Sequence, residues 1–200
     1  MSFKLQPLVG MGSPITSAMD DSTPLLVLGL GNWICTDDGL GVDAVRRLLA
    51  EYEPPEGARV LDGGTLGLSL LPELETADQA ILIDAVRDDA PVGSFVRLEG
   101  DDVAPAVAAR LSPHQVGVFD LLEAARWLGR YPRRVVLLGL VPGSIELGLE
   151  RSPAVQEGLP GLVERVVEEA RRLGFEFRAR EIHEPFAGVC AADGVSLYGV

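Results

Sequence analysis

Asp38, Asp84 and His114 are far apart in the 200-residue chain, yet together they offer a coordination set. Asp38 belongs to the Asp37-Asp38 pair in a short loop after the apolar run Leu25–Leu30. Asp84 closes a second apolar run, Gln79–Ala85. His114 lies in Ser112-Pro-His-Gln115, a marked helix start. In a doubly wound sheet, strand ends and the loops after them converge on one edge, so the three can meet. Two carboxylates and an imidazole make an O,O,N set that suits nickel, zinc or iron(II). The positive end of the helix dipole favours the neutral imidazole that a ligand must be. A plain structural reading stays open for each: Asp38 favouring a helix start, Asp84 a hydrogen-bonded strand-end acid, His114 a surface residue.

Two other chemistries share this stretch. Gly29-Leu-Gly31 begins like a dinucleotide-binding turn, and Asp62 ends the next strand as a ribose-binding acid would. Ile34 occupies the third glycine position, however, and Asp37 and Asp38 would confront a pyrophosphate with like charge. Cys35 paired with His114 would be a thiol nucleophile. It has no basic neighbours, and the adjacent acids disfavour its thiolate, so it reads as a small hydrophobe. No Ser-His-Asp order or HExxH motif supplies a competing hydrolase.

The elements that must position these groups follow from periodicity. Leu25–Leu30, Ala58–Leu61, Gln79–Ala85 and Arg134–Leu140 read as buried strands, and Gly93–Leu98 as an edge strand, with the antiparallel direction open to it. A helix at Leu40–Glu51 carries Val42, Val45, Leu48 and Leu49 on one face and ends at Pro54-Pro55. One or two helical turns at Leu66–Leu71 should stop near Pro72, and a short helix fits Asp101–Arg110. Ser112 as N-cap, Pro113 at the first position and Gln115 as the capping-box partner start a helix that buries Val118, Leu121, Leu122, Ala125 and Leu128. A last helix, Pro160–Leu173, turns Leu162, Val163, Val166, Val167 and Ala170 inward, exposes a Glu168–Arg172 pair and stops at Gly174. Strands alternating with helices imply an α/β fold, a three-layer helix-sheet-helix sandwich with a mostly parallel twisted sheet of about five strands.

Residues 1–24 read as a flexible leader, 25–174 as one domain, and 175–200 as a tail without periodicity. Net charge is −13, which disfavours nucleic acid and anionic membrane surfaces as partners. No run reaches the roughly 18–20 apolar residues of a spanning helix. The N-terminus lacks a secretory pattern and the two cysteines, Cys35 and Cys190, form no CxxC pair, so a cytoplasmic protein with free thiols is expected.

Leu28-Gly-Leu-Gly-Asn32, Asp37-Asp38-Gly-Leu-Gly-Val42, Asp62-Gly-Gly-Thr65, Asp84-Ala85 and Ser112-Pro-His-Gln115 occur in an order and spacing that resembles the hydrogenase maturation endopeptidases. Val141-Pro-Gly-Ser-Ile-Glu146 is similar to that family's late strand-end segment. The resemblance spans about Leu25–Gly174. It implies an aspartic-type endopeptidase acting on the precursor of a [NiFe]-hydrogenase large subunit. The enzyme would recognise nickel already in the precursor and make one cut, removing the C-terminal peptide. Asp38, Asp84 and His114 match the family's catalytic and nickel-ligating positions, with Asp38 standing where many members have Glu. Asp62, Gly63, Gly64 and Thr65 match a substrate-recognition turn. The resemblance further implies substrate-supplied nickel, no organic cofactor and a monomer. The alternatives are a non-catalytic, chaperone-like module that binds the precursor and a general metallopeptidase.

Overall fold

The computed structural model describes residues 23–108 and 113–181, the side chains of 113–116 excepted. The chain runs through β1 (Thr23–Leu30), a 3₁₀ turn (Thr36–Gly39), α1 (Leu40–Glu51), β2 (Tyr52–Glu53) and β3 (Ala58–Gly64). It continues through a second 3₁₀ turn (Gly67–Leu70), α2 (Leu71–Thr76), β4 (Ala77–Ala85), β5 (Phe95–Glu99) and α3 (Val103–Ala108). Then come α4 (Pro113–Trp127), β6 (Arg134–Leu140), α5 (Pro153–Arg172) and β7 (Arg178–Ala179).

Leu25, Leu26, Val27, Leu28 and Leu30 are all fully buried, so β1 is covered on both faces. Successive strand side chains point to opposite faces. Leu26, Leu28, Leu82, Val135 and Leu137 therefore pack with Leu74, Val107, Val118, Leu121 and Leu122 from α2, α3 and α4. Leu25, Val27, Ile81, Ile83, Val136 and Leu138 pack with Leu48 of α1 and Leu162, Val163 and Val166 of α5. The result is the expected three-layer sandwich around a sheet of order β3-β1-β4-β6-β5. Each fully buried leucine or isoleucine contributes roughly 1.5–3 kcal/mol over its exposed state, while an exposed ion pair contributes about 0–1 kcal/mol. The two apolar layers therefore dominate stability.

β3, β1, β4 and β6 are parallel, and β5 is antiparallel to β6 at the edge. The link from β4 to β5 holds no crossover helix. The chain thus re-enters the sheet from the edge it left, which forces the opposite direction. Phe95, Arg97 and Glu99 alternate with Val96 and Leu98 on β5. Arg97 reaches the buried Glu169 of α5 through two bonds, Nε to Oε2 at 2.9 Å and a terminal nitrogen to Oε1 at 2.8 Å.

Four local expectations are corrected. Leu49 lies at the margin of the α1 face centred on Val45 and Leu48, and is exposed instead of packed. Pro72 opens α2 instead of stopping a helix, because a proline near a helix start removes only an N–H that has no partner there anyway. α5 begins at Pro153, so Pro160 lies inside it. Leu128 is exposed, since α4 ends at Trp127 before that side chain reaches the core. The Glu168–Arg172 pair and the turn at Gly174, φ +94°, are as expected. Beyond Gly174, Phe177 is buried and β7 pairs with β2. Residues 1–22 of the expected leader, Ser112, and residues 182–200 with His183 and Cys190 lie outside the described residues. Among the described residues no helix is long and apolar enough to cross a membrane.

The Arg97 guanidinium holds the Glu169 carboxyl below the usual carboxylate range, against the opposing effect of burial. A depressed folded-state value adds stability above the unfolded value of about 4.3 and loses it as pH falls through the folded one. Glu169→Gln should therefore lower the unfolding free energy at pH 7 by about 1–3 kcal/mol in urea denaturation. The gap to wild type should narrow below about pH 4 as the native carboxylate takes up its proton.

Candidate active site

From β1 the chain turns to β3 on one side, and later places β4 on the other. The gap between the ends of β1 and β4 is thus the topological switch point, where open α/β sheets bind ligands. Asp38 sits in the loop leaving β1, and Asp84 is one residue from the end of β4. The turn Thr36–Gly39 packs against β4. Asp38 and Asp84, both buried, thus flank the switch point, where the sequence expects them.

Close backbone packing makes this possible. A Cβ on Gly41, at the start of α1, would lie 2.1 Å from the Ile83 carbonyl oxygen and 2.4 Å from that of Leu30. Only a residue without a side chain lets the helix start rest on both strand ends. Gly31 has φ +119°, and a Cβ there would lie 1.8 Å from the Asp38 carbonyl oxygen. The loop can fold over the strand end only because of this glycine.

The two neighbouring acids accept from different backbone donors. The Asp37 carboxylate accepts three backbone N–H bonds: from Gly143 at 2.7 Å and Ser144 at 3.1 Å on Oδ2, and from Ser152 at 2.7 Å on Oδ1. It ties the loop after β6 and the N-cap of α5 to the loop after β1. Asp38 Oδ2 accepts the Asn32 N–H at 2.9 Å. Moving a carboxylate out of water costs several kcal/mol. Asp37, Asp38 and Asp84 are three buried acids along one edge of the sheet.

Further clamps hold the same two loops. Thr36 has φ +23° without being glycine; its hydroxyl donates to the Ser144 oxygen at 2.7 Å and its N–H to the Gly148 oxygen at 2.7 Å. Arg151 Nε donates to Asp43 at 2.7 Å, and its terminal nitrogens bond the Thr36 and Trp33 carbonyl oxygens. Neither the Asp37 clamp nor the Arg151 anchor is legible from spacing, because both join segments more than 100 residues apart. The Asp-Asp doublet is the signal that could have raised the question of divided roles.

Asp62, Gly63, Gly64 and Thr65 lie at the end of β3, beside β1, with the Gly31 N–H donating to the Gly64 oxygen at 3.0 Å. Asp62 and Thr65 are exposed on the rim, and Asp62 pairs with Arg46 at 3.2 Å. His114 occupies the first turn of α4, one turn before Gly117, which packs against Gly67 just past this rim. Its imidazole is outside the described side chains. Among the described side chains no group of three His, Cys, Asp or Glu could hold a metal ion. Cys35 is a free, half-buried thiol whose backbone forms a bridge with Gly148.

Replacing Asp37 by Ala leaves three backbone donors without their acceptor, each worth about 1–3 kcal/mol. Asp37→Ala should therefore lower the unfolding free energy by at least about 3 kcal/mol in urea unfolding curves. Gly41→Ala, which drives a methyl into two carbonyl oxygens, should lower thermal stability by several degrees or block folding.

Residues 42–169 match a family model described as hydrogenase maturation protease. The chain is 36% identical over 163 residues to the hydrogenase 2 maturation protease of Escherichia coli, covering 80% of this chain and 99% of that one. It is 38% identical over 154 residues to the hydrogenase expression/formation protein HupD of Rhodobacter capsulatus, covering 76% and 73%. The structure of the hydrogenase maturating endopeptidase HybD from Escherichia coli superposes with a TM-score of 0.75 at 34% identity, covering 78% of this chain and 98% of that one. The [NiFe] hydrogenase maturation protease HybD from Thermococcus kodakarensis gives a TM-score of 0.60 at 29% identity, covering 74% and 99%. A mostly parallel sheet with buried acids at its switch point, a family model matched over residues 42–169 and a maturation protease of 36% identity matched over 99% of its length lead to one conclusion: this chain belongs to the hydrogenase maturation proteases.

Proposed function

We propose that this protease matures a [NiFe]-hydrogenase by recognising nickel in the precursor of the large subunit and cutting that precursor once, near its C-terminus. The observation that carries this reading is the burial of Asp38 and Asp84 on either side of the switch point. The first turn of α4, with His114, supplies the third ligand. These are hard and borderline donors from three separate elements, and their O,O,N chemistry fits a visiting divalent ion.

The ion arrives with the substrate and would supply Lewis-acid polarisation of the scissile carbonyl. The chain's residues do the rest. Asp38 and Asp84 offer negative charge in a desolvated crevice, where it acts more strongly than in water. They are also the groups placed to take a proton from attacking water, the sense in which the activity is aspartic. Asp37 is committed to three backbone donors and stays outside the chemistry. The exposed Asp62 and Thr65 on the adjacent rim are placed to read the body of the precursor.

The test is processing of a nickel-loaded precursor, followed by intact mass. Wild-type protein should release one C-terminal peptide, and nickel-free precursor should remain whole. His114→Ala should abolish release while circular dichroism and thermal unfolding stay as in wild type. Equal cleavage with and without nickel overturns nickel recognition. Binding without cleavage favours the chaperone-like module, and turnover of unrelated peptides favours a general peptidase.

A further inference from the structure

The clamped loops beside Asp38 present an unusual surface. Trp33, Ile34, Leu147 and Leu149 are 52%, 41%, 80% and 64% exposed. Single exposed apolar side chains are ordinary, but a contiguous group marks an interaction site. The two backbone segments that carry them are bridged to one another. The Gly148 N–H donates to the Ile34 oxygen at 2.9 Å, and Cys35 and Gly148 form a parallel bridge. Gly148 has no room for a side chain, since a Cβ would lie 2.8 Å from Thr36 Cγ2. The Asp37, Thr36 and Arg151 clamps make the surface preformed, which lowers the entropy lost on binding. A groove of about 610 Å³ borders it at Leu149, lined further by Thr36, Ser144, Glu150 and Arg151.

Charge restricts the occupant. Glu146 and Glu150 are the only charged residues in 141–150, and both are exposed. Residues 32–36 carry no charge. Arg151, the nearest cation along the chain, is committed to Asp43 and to backbone oxygens. The rim is therefore apolar with acidic flanks, on a protein of net charge −13. That pattern complements an apolar peptide flanked by lysine or arginine.

We propose that Trp33, Ile34, Leu147 and Leu149, flanked by Glu146 and Glu150, dock an apolar, basic-flanked segment of the precursor and deliver it to the Asp38–Asp84 edge. This rests on the protease reading above and adds the surface that selects the peptide. Asp38 lies only three residues beyond Cys35, so a peptide seated on this face adjoins the site.

The test measures precursor binding by biolayer interferometry and processing kinetics on the same full-length proteins. Leu147→Ser/Leu149→Ser changes only exposed side chains, so folding should be unaffected. It should raise Kd and KM about tenfold with kcat within about twofold of wild type, the mark of lost uniform binding. Glu146→Lys/Glu150→Lys should raise KM at least about threefold at low salt, and the effect should shrink in about 0.5 M salt as screening removes it. Unchanged Kd in both double variants overturns the docking surface, whether or not wild type cleaves. Normal docking effects on a precursor that is never cut would overturn the protease reading and leave this surface standing. Wild-type self-association that the leucine variant abolishes, with Kd for the precursor unchanged, would assign the face to a second copy and overturn the proposal.

Discussion

One buried carboxylate holds together the two loops that frame the switch point. Asp37 gathers backbone N–H groups from Gly143, Ser144 and Ser152, and in doing so ties the loop after the first strand to the loop after the last strand of the main sheet. Hydrogen bonds to an ionised acceptor are about twice as strong as neutral ones, and in a dry environment each supports the next. Remove that anion and the two loops that frame the switch point lose their shared anchor. The Thr36 and Arg151 bonds lie in the same seam and act on the same pair of loops.

The seam explains why adjacent acids can serve different ends. Asp37 faces the loop after β6, and Asp38 faces back to the Asn32 N–H at the end of β1. A 3₁₀ turn rotates successive side chains by roughly 120°, so neighbours cannot share a face. One acid is consumed by structure and the other stands at the edge where Asp84 emerges. The surrounding glycines matter for the same reason. With any side chain at Gly41, the helix start would stand off from Leu30 and Ile83, and the turn carrying both acids would move with it.

The arrangement also divides stability from function by layer. The two apolar faces of the sheet and the buried Glu169–Arg97 bond stabilise the body of the molecule. The loops at the carboxyl edge carry the exposed tryptophan and leucines, the acidic flanks and the groove. A rigid scaffold with variable loops at one edge lets the body stay constant while specificity changes.

Much of this is legible in the chain itself. Buried parallel strands announce themselves as continuous apolar runs, and the Leu25–Leu30, Gln79–Ala85 and Arg134–Leu140 runs are enough to put Asp38 and Asp84 at one edge. The edge position of β5 is visible in its alternation. Local rules misread Pro72 and Pro160, because a proline is compatible with a helix start and a long helix can carry one when tertiary packing holds both sides. Nothing local could separate Asp37 from Asp38. The partners that hold Asp37 are backbone atoms, which have no residue identity to recognise, and they lie over 100 residues away. The order of elements and the acids at the carboxyl edge of the sheet were determined by sequence. Which acid ties the two loops together and which leucines stay in water were decided only when distant loops met, since that depends on geometry and not on pattern.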